Sequence, residues 1–122
     1  MDDAATAVID EQALANIRAI APGGMLLQKV LRAYLDSAPR LVEDFAANLS
    51  SGETRKLHLA VHTLKSSSAN VGAMKLSALC KEMEANVRSG ELESISSKAG
   101  LLKQEHEAVM RALLRHIEKE AA

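Results

Sequence analysis

Hydrophobic residues recur along this chain at intervals of three and four positions, which is the spacing of residues on one face of an α-helix. No stretch alternates hydrophobic and polar residues with the β-branched bias of a strand, and no Asn-Gly hairpin turn occurs. The pattern therefore predicts an all-α protein. Interruptions by Gly, Pro and Ser divide it into predicted helices at about residues 10–21, 25–49, 53–70, 73–88 and 92–118.

The turns between the predicted helices are only a few residues long, so consecutive long helices should pack antiparallel. We expect an up-down antiparallel four-helix bundle with the first segment as a short extra N-terminal helix. Asp10 is suited to the N-cap of that helix. Residues 1–8 are predicted to be a mobile lead and residues 9–119 to be a single domain.

Two residues are expected to disturb long helices. Pro39 lacks a backbone N–H and disfavours helix at Ala38, so it predicts a kink or a fresh helix start there. Gly100 lies inside the last predicted helix, where glycine costs about 1 kcal/mol relative to alanine, and predicts a bend.

The same periodicity assigns several less obvious residues to inward faces. It places Ile20 on the apolar face of the first helix, Cys80 in the core as a small residue, and His106 in the core as a buried, hydrogen-bonded histidine. His116 lies near the C-terminal end of the last helix, where a cation suits the helix dipole.

Composition limits the classes of function. The 122 residues carry a net charge of −1, so no global field attracts nucleic acid or an anionic membrane. There is no secretory signal and no stretch of the roughly 18 apolar residues that a membrane span needs. A lone cysteine, Cys80, fits a reducing compartment, and we predict a cytoplasmic protein. Without a glycine-rich nucleotide loop the chain should not bind ATP.

The segment from residue 53 to 70 contains the most unusual chemistry. Its inward seam is formed by Leu57, Val61, Leu64, Ser68 and Val71, and His62 falls well away from that seam. The residues that share its side of the helix are Arg55, His58, Lys65, Ser66 and Ala69. We therefore predict an imidazole on a solvent-facing, mildly basic stripe with small neighbours. A neutral imidazole is a good nucleophile near pH 7.

The run from His62 to Ala73, His-Thr-Leu-Lys-Ser-Ser-Ser-Ala-Asn-Val-Gly-Ala, resembles the signature of histidine-containing phosphotransfer (HPt) domains, the carriers of bacterial multistep phosphorelays. The resemblance extends from about residue 9 to 117. It includes Tyr-Leu-x-x-x-Pro-Arg-Leu at residues 34–41 and Leu-Cys-Lys-Glu-Met-Glu at residues 79–84. Many members have Gly at the position of Ser66, and a hydroxyl there is a difference that bears on partner choice.

The resemblance implies a phosphocarrier without its own ATP site and without a cofactor. In it, His62 accepts a phosphoryl group from a receiver-domain aspartate and passes it to another receiver, with Lys65 and Ser66 in support. Receiver domains, including those of hybrid sensor kinases, are the implied partners, and any metal belongs to the receiver. The resemblance fits both a free-standing cytoplasmic protein and the C-terminal domain of a membrane-anchored hybrid kinase. The partner-docking residues are expected to be Arg55, His58, Ala69 and Lys81. Further neighbours are expected near Arg40, Leu41 and Asp44 on one side, and near Glu82 and Ala85 on the other.

Two other functions compete with this interpretation. His58 and His62 have the i, i+4 spacing of a metal-binding pair. No carboxylate or cysteine is obviously placed to complete a site, so we predict two solvated histidines and no bound metal. A non-catalytic helical adaptor that binds a regulator is the second alternative, because helical bundles serve many functions.

Overall fold

The computed structural model describes residues 8–21 and 23–121, with side chains described up to Lys119. These residues form five α-helices and no strand, which confirms the all-α prediction. In chain order the helices are α1 (Glu11–Ile20), α2 (Met25–Ser51), α3 (Thr54–Asn70), α4 (Met74–Arg88) and α5 (Leu92–Ala121).

The four long helices enclose one hydrophobic core. Each packs on the next in sequence, and α5 returns to α2 and closes the bundle, while α1 packs on α2. The fold is therefore the predicted four-helix bundle with an extra N-terminal helix. None of the described helices combines the length and the hydropathy that crossing a membrane requires. Residues 1–7 of the predicted lead lie outside the described residues, and Val8 is half-buried against the core.

The residues of the predicted inward faces are buried or half-buried with one exception. All five residues of the α3 seam are buried, and buried Ser68 forms a 2.8 Å hydrogen bond with the Tyr34 hydroxyl. Ile20, however, is 74% exposed, so its inward placement is wrong. It is the last residue of α1, a short helix that rests on α2 at the edge of the bundle and has no second helix to cover that end.

Pro39 does not start a new helix. Of the predicted kink or fresh start, the fresh start is excluded because helix α2 runs without interruption from Met25 to Ser51, and the kink stays a prediction. The missing hydrogen bond is outweighed because Leu31, Tyr34 and Phe45, on both sides of the proline, are all buried in the same core.

Two core residues differ in how well they match prediction. Cys80 is fully buried as expected, and burial raises the pKa of its thiol to about 12. His106 is also buried, but its Nδ1 atom has no hydrogen-bond partner among the described residues, so the expected hydrogen-bonded histidine is wrong at that atom. Burial lowers the pKa of His106, which keeps the ring neutral at pH 7.

A close backbone contact fixes the chain before α1 against the turn after α3. Asp10 caps α1 as predicted, accepting a 3.0 Å hydrogen bond from the Gln12 N–H. Its own N–H donates to the Gly72 carbonyl at 2.8 Å. Gly72 has φ +80°, and a Cβ atom there would lie 2.6 Å from the Asp10 carbonyl oxygen. Only glycine fits this turn without displacing the backbone.

This contact predicts that Gly72→Ala destabilises the protein by about 1–3 kcal/mol, the usual cost of placing a side chain at positive φ, plus the clash with Asp10. Gly100→Ala is the matched control, because Gly100 is helical, exposed and has open space around its Cβ position. It should stabilise the protein by about 0.5–1 kcal/mol. Urea unfolding measures both, and a Gly72→Ala protein as stable as wild type would contradict the proposed role of this turn.

Candidate functional site

One buried carboxylate organises the exposed face of α3. Glu84 on α4 is only 3% exposed, yet four basic side chains approach it. Lys65 Nζ donates to Oε1 at 2.6 Å, and Arg88 lies 3.9 Å from the same oxygen. On the other oxygen, Oε2, His62 Nδ1 lies at 2.6 Å and His58 Nε2 at 3.2 Å.

The packing of α4 on α3 places Glu84 in this position. Cys80, Met83 and Val87 turn inward, and Glu84 follows Met83 at the edge of that apolar face. A second polar contact holds the same two helices together, since Ser77 Oγ donates to the Lys65 carbonyl at 2.9 Å. The carboxylate is therefore held by the bundle and not by a mobile loop.

Glu84 is ionised at neutral pH. The hydrogen bond from Lys65 is the main cause that lowers its pKa to about 2, and the hydrogen bond with His62 adds to it. Burial acts in the opposite direction, because it penalises the charged form, but it does not prevail.

The charge on Glu84 determines the tautomer of His62. An ionised carboxylate can only accept hydrogen bonds, so His62 Nδ1 must carry the proton and donate it. The lone pair is then on Nε2, on the far side of the ring from the buried carboxylate. Because the His62 side chain is 52% exposed, this nitrogen can act as a nucleophile toward a group that approaches from solvent.

His58 belongs to the same group. Its ring stacks on the ring of His62, which lies one turn further along α3. The ring centroids are 5.6 Å apart and the interplanar angle is 13°. Its Nε2 lies 3.2 Å from Oε2 of Glu84, within ion-pair distance of the carboxylate. The prediction that no carboxylate completes the His58–His62 pair is therefore wrong, because α4 brings Glu84 to both rings.

The structure unites some of the predicted site residues and separates others. His58, His62 and Lys65 converge on Glu84, and Lys65 is only 28% exposed, so the stripe is less open to solvent than predicted. The remaining predicted residues do not join this group within the described part of the chain. Of these, Arg55, Ser66 and Lys81 are exposed and Ala69 is half-buried.

Sequence reasoning assigned no role to Glu84. A signal was present, because Glu84 lies one turn after inward-facing Cys80 and directly after Met83, so an acidic residue occupied a position near the core. What the spacing did not reveal is which residues of another helix would face it.

The fold and the site together define a class of protein. It is a four-helix bundle that presents, on the side of a helix, an exposed histidine whose tautomer is fixed by a buried carboxylate. The Hpt domain family matches residues 29–112, and the chain belongs to this family. Histidine phosphotransfer in a phosphorelay is the function that goes with this membership. A search among curated proteins gives no significant match.

Solved structures of the same fold come from bacteria and plants. Histidine-containing phosphotransfer protein B from Pseudomonas aeruginosa superposes with a TM-score of 0.85 at 22% identity, over 92% of this chain and 96% of that one. The HPT domain of a sensor hybrid histidine kinase from Shewanella gives a TM-score of 0.80 at 20% identity, over 94% of this chain and 97% of that one. A histidine-containing phosphotransfer protein from maize gives a TM-score of 0.80 at 22% identity, over 97% of this chain and 92% of that one.

The site geometry predicts that Lys65→Met raises the pKa of the Glu84 carboxyl from about 2 toward its ordinary value of 4.5, because the strongest hydrogen bond to the carboxylate is lost. Carbon-13 NMR titration of the Glu84 side chain measures this directly. Arg88→Met is the control: its guanidinium is 68% exposed and 3.9 Å away, so its loss should leave the pKa nearly unchanged. Equal shifts in both variants would contradict the assignment.

The same pKa has a consequence for stability. Since the folded-state value lies below the unfolded value, the contribution of ionised Glu84 is present above about pH 4.5 and is lost as the pH falls toward 2. The difference in free energy of unfolding between wild type and Lys65→Met should therefore shrink across that interval.

Proposed function

We propose that His62 is the phosphoacceptor of this chain, taking a phosphoryl group from the aspartyl phosphate of one receiver domain and donating it to the aspartate of another. The observation that carries the proposal is the half-exposed ring whose Nδ1–H is held by buried, ionised Glu84. The chain then acts as a phosphocarrier, and any ATP-dependent step belongs to a partner.

The transfer step balances without a further reactant. The Nε2 lone pair attacks phosphorus, the bond from phosphorus to the aspartyl oxygen breaks, and the aspartate leaves as a carboxylate. The ring keeps its Nδ1 proton and becomes cationic as the N–P bond forms. Glu84, 2.6 Å from Nδ1, stabilises this developing positive charge, and the reverse steps return the ring to its neutral form.

Lys65 and Ser66 support the step in different ways. Lys65 Nζ is already bound to Glu84, so its resting role is to hold the carboxylate, and its charge lies one turn from the ring that receives an anionic phosphoryl group. Ser66 is small and exposed, which leaves room for the loops of a receiver to close over His62.

The docking surface surrounds His62 on α3. On the α2 side it includes a groove lined by Leu41, Asp44 and Leu59, and Leu59 is 64% exposed although it is a large apolar residue. An exposed apolar side chain beside the acceptor supports a protein partner there. Toward α4 and along α3 the proposed surface takes in Arg55, His58, Ala69 and Lys81. We also propose that the chain acts in the cytoplasm.

We expect His62→Gln to abolish phosphorylation of the chain, because among the described residues no other exposed imidazole has its Nδ1 proton held by Glu84. The measurement mixes the protein with acetyl-phosphate-charged receiver domains and follows acid-labile, base-stable label. His116→Gln is the control: His116 pairs with Glu11 at 3.0 Å on α1, away from the site, so its loss should leave labelling unchanged. Undiminished label on His62→Gln would refute the assignment.

The same experiment separates the phosphocarrier from the helical adaptor. A phosphocarrier loses labelling in His62→Gln but still binds the receiver, as a pull-down or calorimetry would show. An adaptor binds its partner and carries no label even as wild type.

Substituting Ser66→Glu should block transfer by at least tenfold without unfolding the bundle, because a longer, acidic side chain one turn from His62 crowds and repels the receiver's phosphorylated loop. Ser96→Glu, an exposed serine on α5, carries the same change in charge away from α3. Circular dichroism confirms folding of both. Transfer to Ser66→Glu at the wild-type rate would show that the receiver docks elsewhere.

A further inference from the structure

Three metal-ligating atoms converge beside the ring that is proposed to accept the phosphoryl group. His58 Nε2, His62 Nδ1 and Glu84 Oε2 all lie within 4.8 Å of one another. Two of the ligands are one turn apart on α3, and the third comes from α4. His58 has no part in the transfer step, so the convergence of both imidazoles on one oxygen has another consequence.

The spacing of these atoms is close to that of a tetrahedral metal site. Zn²⁺ holds N and O ligands at about 2.0–2.2 Å, which places the ligand atoms about 3.3 Å apart. Glu84 Oε2 already lies 3.2 Å from His58 Nε2. The 2.6 Å contact with His62 would need to open and the two imidazoles to draw together, changes of about 1 Å or slightly more that side-chain rotation supplies.

The surroundings suit an ion that enters from solvent. The side chains of His58 and His62 are 39% and 52% exposed, while Glu84 is fixed in the interior. Lys65 occupies the other oxygen, Oε1, and leaves Oε2 to the two rings. Two imidazoles and one carboxylate, with an open fourth position for water, match the ligand preference of Zn²⁺.

We propose that His58, His62 and Glu84 form a binding site for a divalent transition-metal ion of the Zn²⁺ type, and that the bound ion inhibits phosphorylation of His62. The binding site stands on its own geometry, whereas the inhibition rests on the proposed phosphoacceptor role of His62.

Inhibition follows from the two nitrogens of one ring. A metal ion can bind Nδ1 only after the proton on that nitrogen, which is hydrogen-bonded to Glu84, has left. The neutral ring then carries its proton on Nε2, with solvent mediating the exchange. The nitrogen that attacks phosphorus then carries a proton and has no free lone pair. The ion also separates Glu84 from the ring, which removes the compensating charge that the phosphorylated ring needs.

Calorimetric titration with Zn²⁺ alone tests the site. Wild type should bind one ion here, and both His58→Gln and Glu84→Gln should bind it at least tenfold more weakly. His116→Gln is the matched control, because it removes an imidazole that also faces a carboxylate, Glu11, but lacks a second histidine. Mg²⁺ should not compete, since it prefers oxygen ligands. If His58→Gln binds Zn²⁺ as tightly as wild type, the proposed site is wrong.

Phosphotransfer from one charged receiver, with and without Zn²⁺, tests the inhibition. Each protein is compared with its own metal-free rate, which cancels any effect of His58 on docking. Comparing these ratios between the proteins then cancels any action of Zn²⁺ on the receiver. Wild type and His116→Gln should lose at least tenfold in rate and recover it with a chelator, while His58→Gln resists. Equal inhibition of wild type and His58→Gln would overturn the inhibitory role. Absence of labelling without metal would refute the phosphoacceptor and leave the calorimetric result intact.

Discussion

A carboxylate removed from water must be paired, and in this bundle the packing of α4 on α3 brings buried Glu84 to its basic partners. Taking such a charge out of water costs several kcal/mol, which only close, well-directed partners repay. Lys65 and His62 are those partners, each at 2.6 Å and each on its own oxygen. Because both stand on α3 while the carboxylate stands on α4, the charge pairing also stabilises the arrangement of the two helices that packing sets. The reactive ring is thereby oriented by the same contacts that stabilise the α3–α4 interface.

His62 has to be accessible and ordered at once, and these two requirements usually conflict. An exposed helical side chain samples several rotamers and either tautomer of its ring. Here one edge of the ring is tied to a buried anion while about half of the side chain remains in contact with solvent. The ordering of a single side chain is then provided by the bundle in advance, so a receiver does not have to provide it on docking.

The helices and the exposure of His62 were predictable because both follow from the 3.6-residue period within a single segment. Interactions between segments were not. Pro39 is a helix breaker by local rules, but buried residues on both sides of it hold α2 together. Ile20 has the spacing of an inward residue, but no second helix covers the end of α1. Glu84 shows the same limit at the site. Its position near an apolar face is visible in the sequence, but its partners on α3 are set by the packing of two helices.

The two ring nitrogens of His62 connect orientation, catalysis and metal binding in a way that follows from the imidazole itself. A neutral ring has one proton and one lone pair, so whatever fixes one nitrogen decides the state of the other. Glu84 accepts a hydrogen bond from Nδ1–H and so leaves the lone pair on Nε2, whereas a cation bound at the same oxygen takes the Nδ1 lone pair and makes Nε2 a donor. His58 leaves the first arrangement intact and adds the ligand that the second one needs. A single carboxylate oxygen shared by two stacked imidazoles is therefore suited both to the metal-free, nucleophilic ring and to the metal-bound ring. These two states exclude each other because they require opposite tautomers of His62.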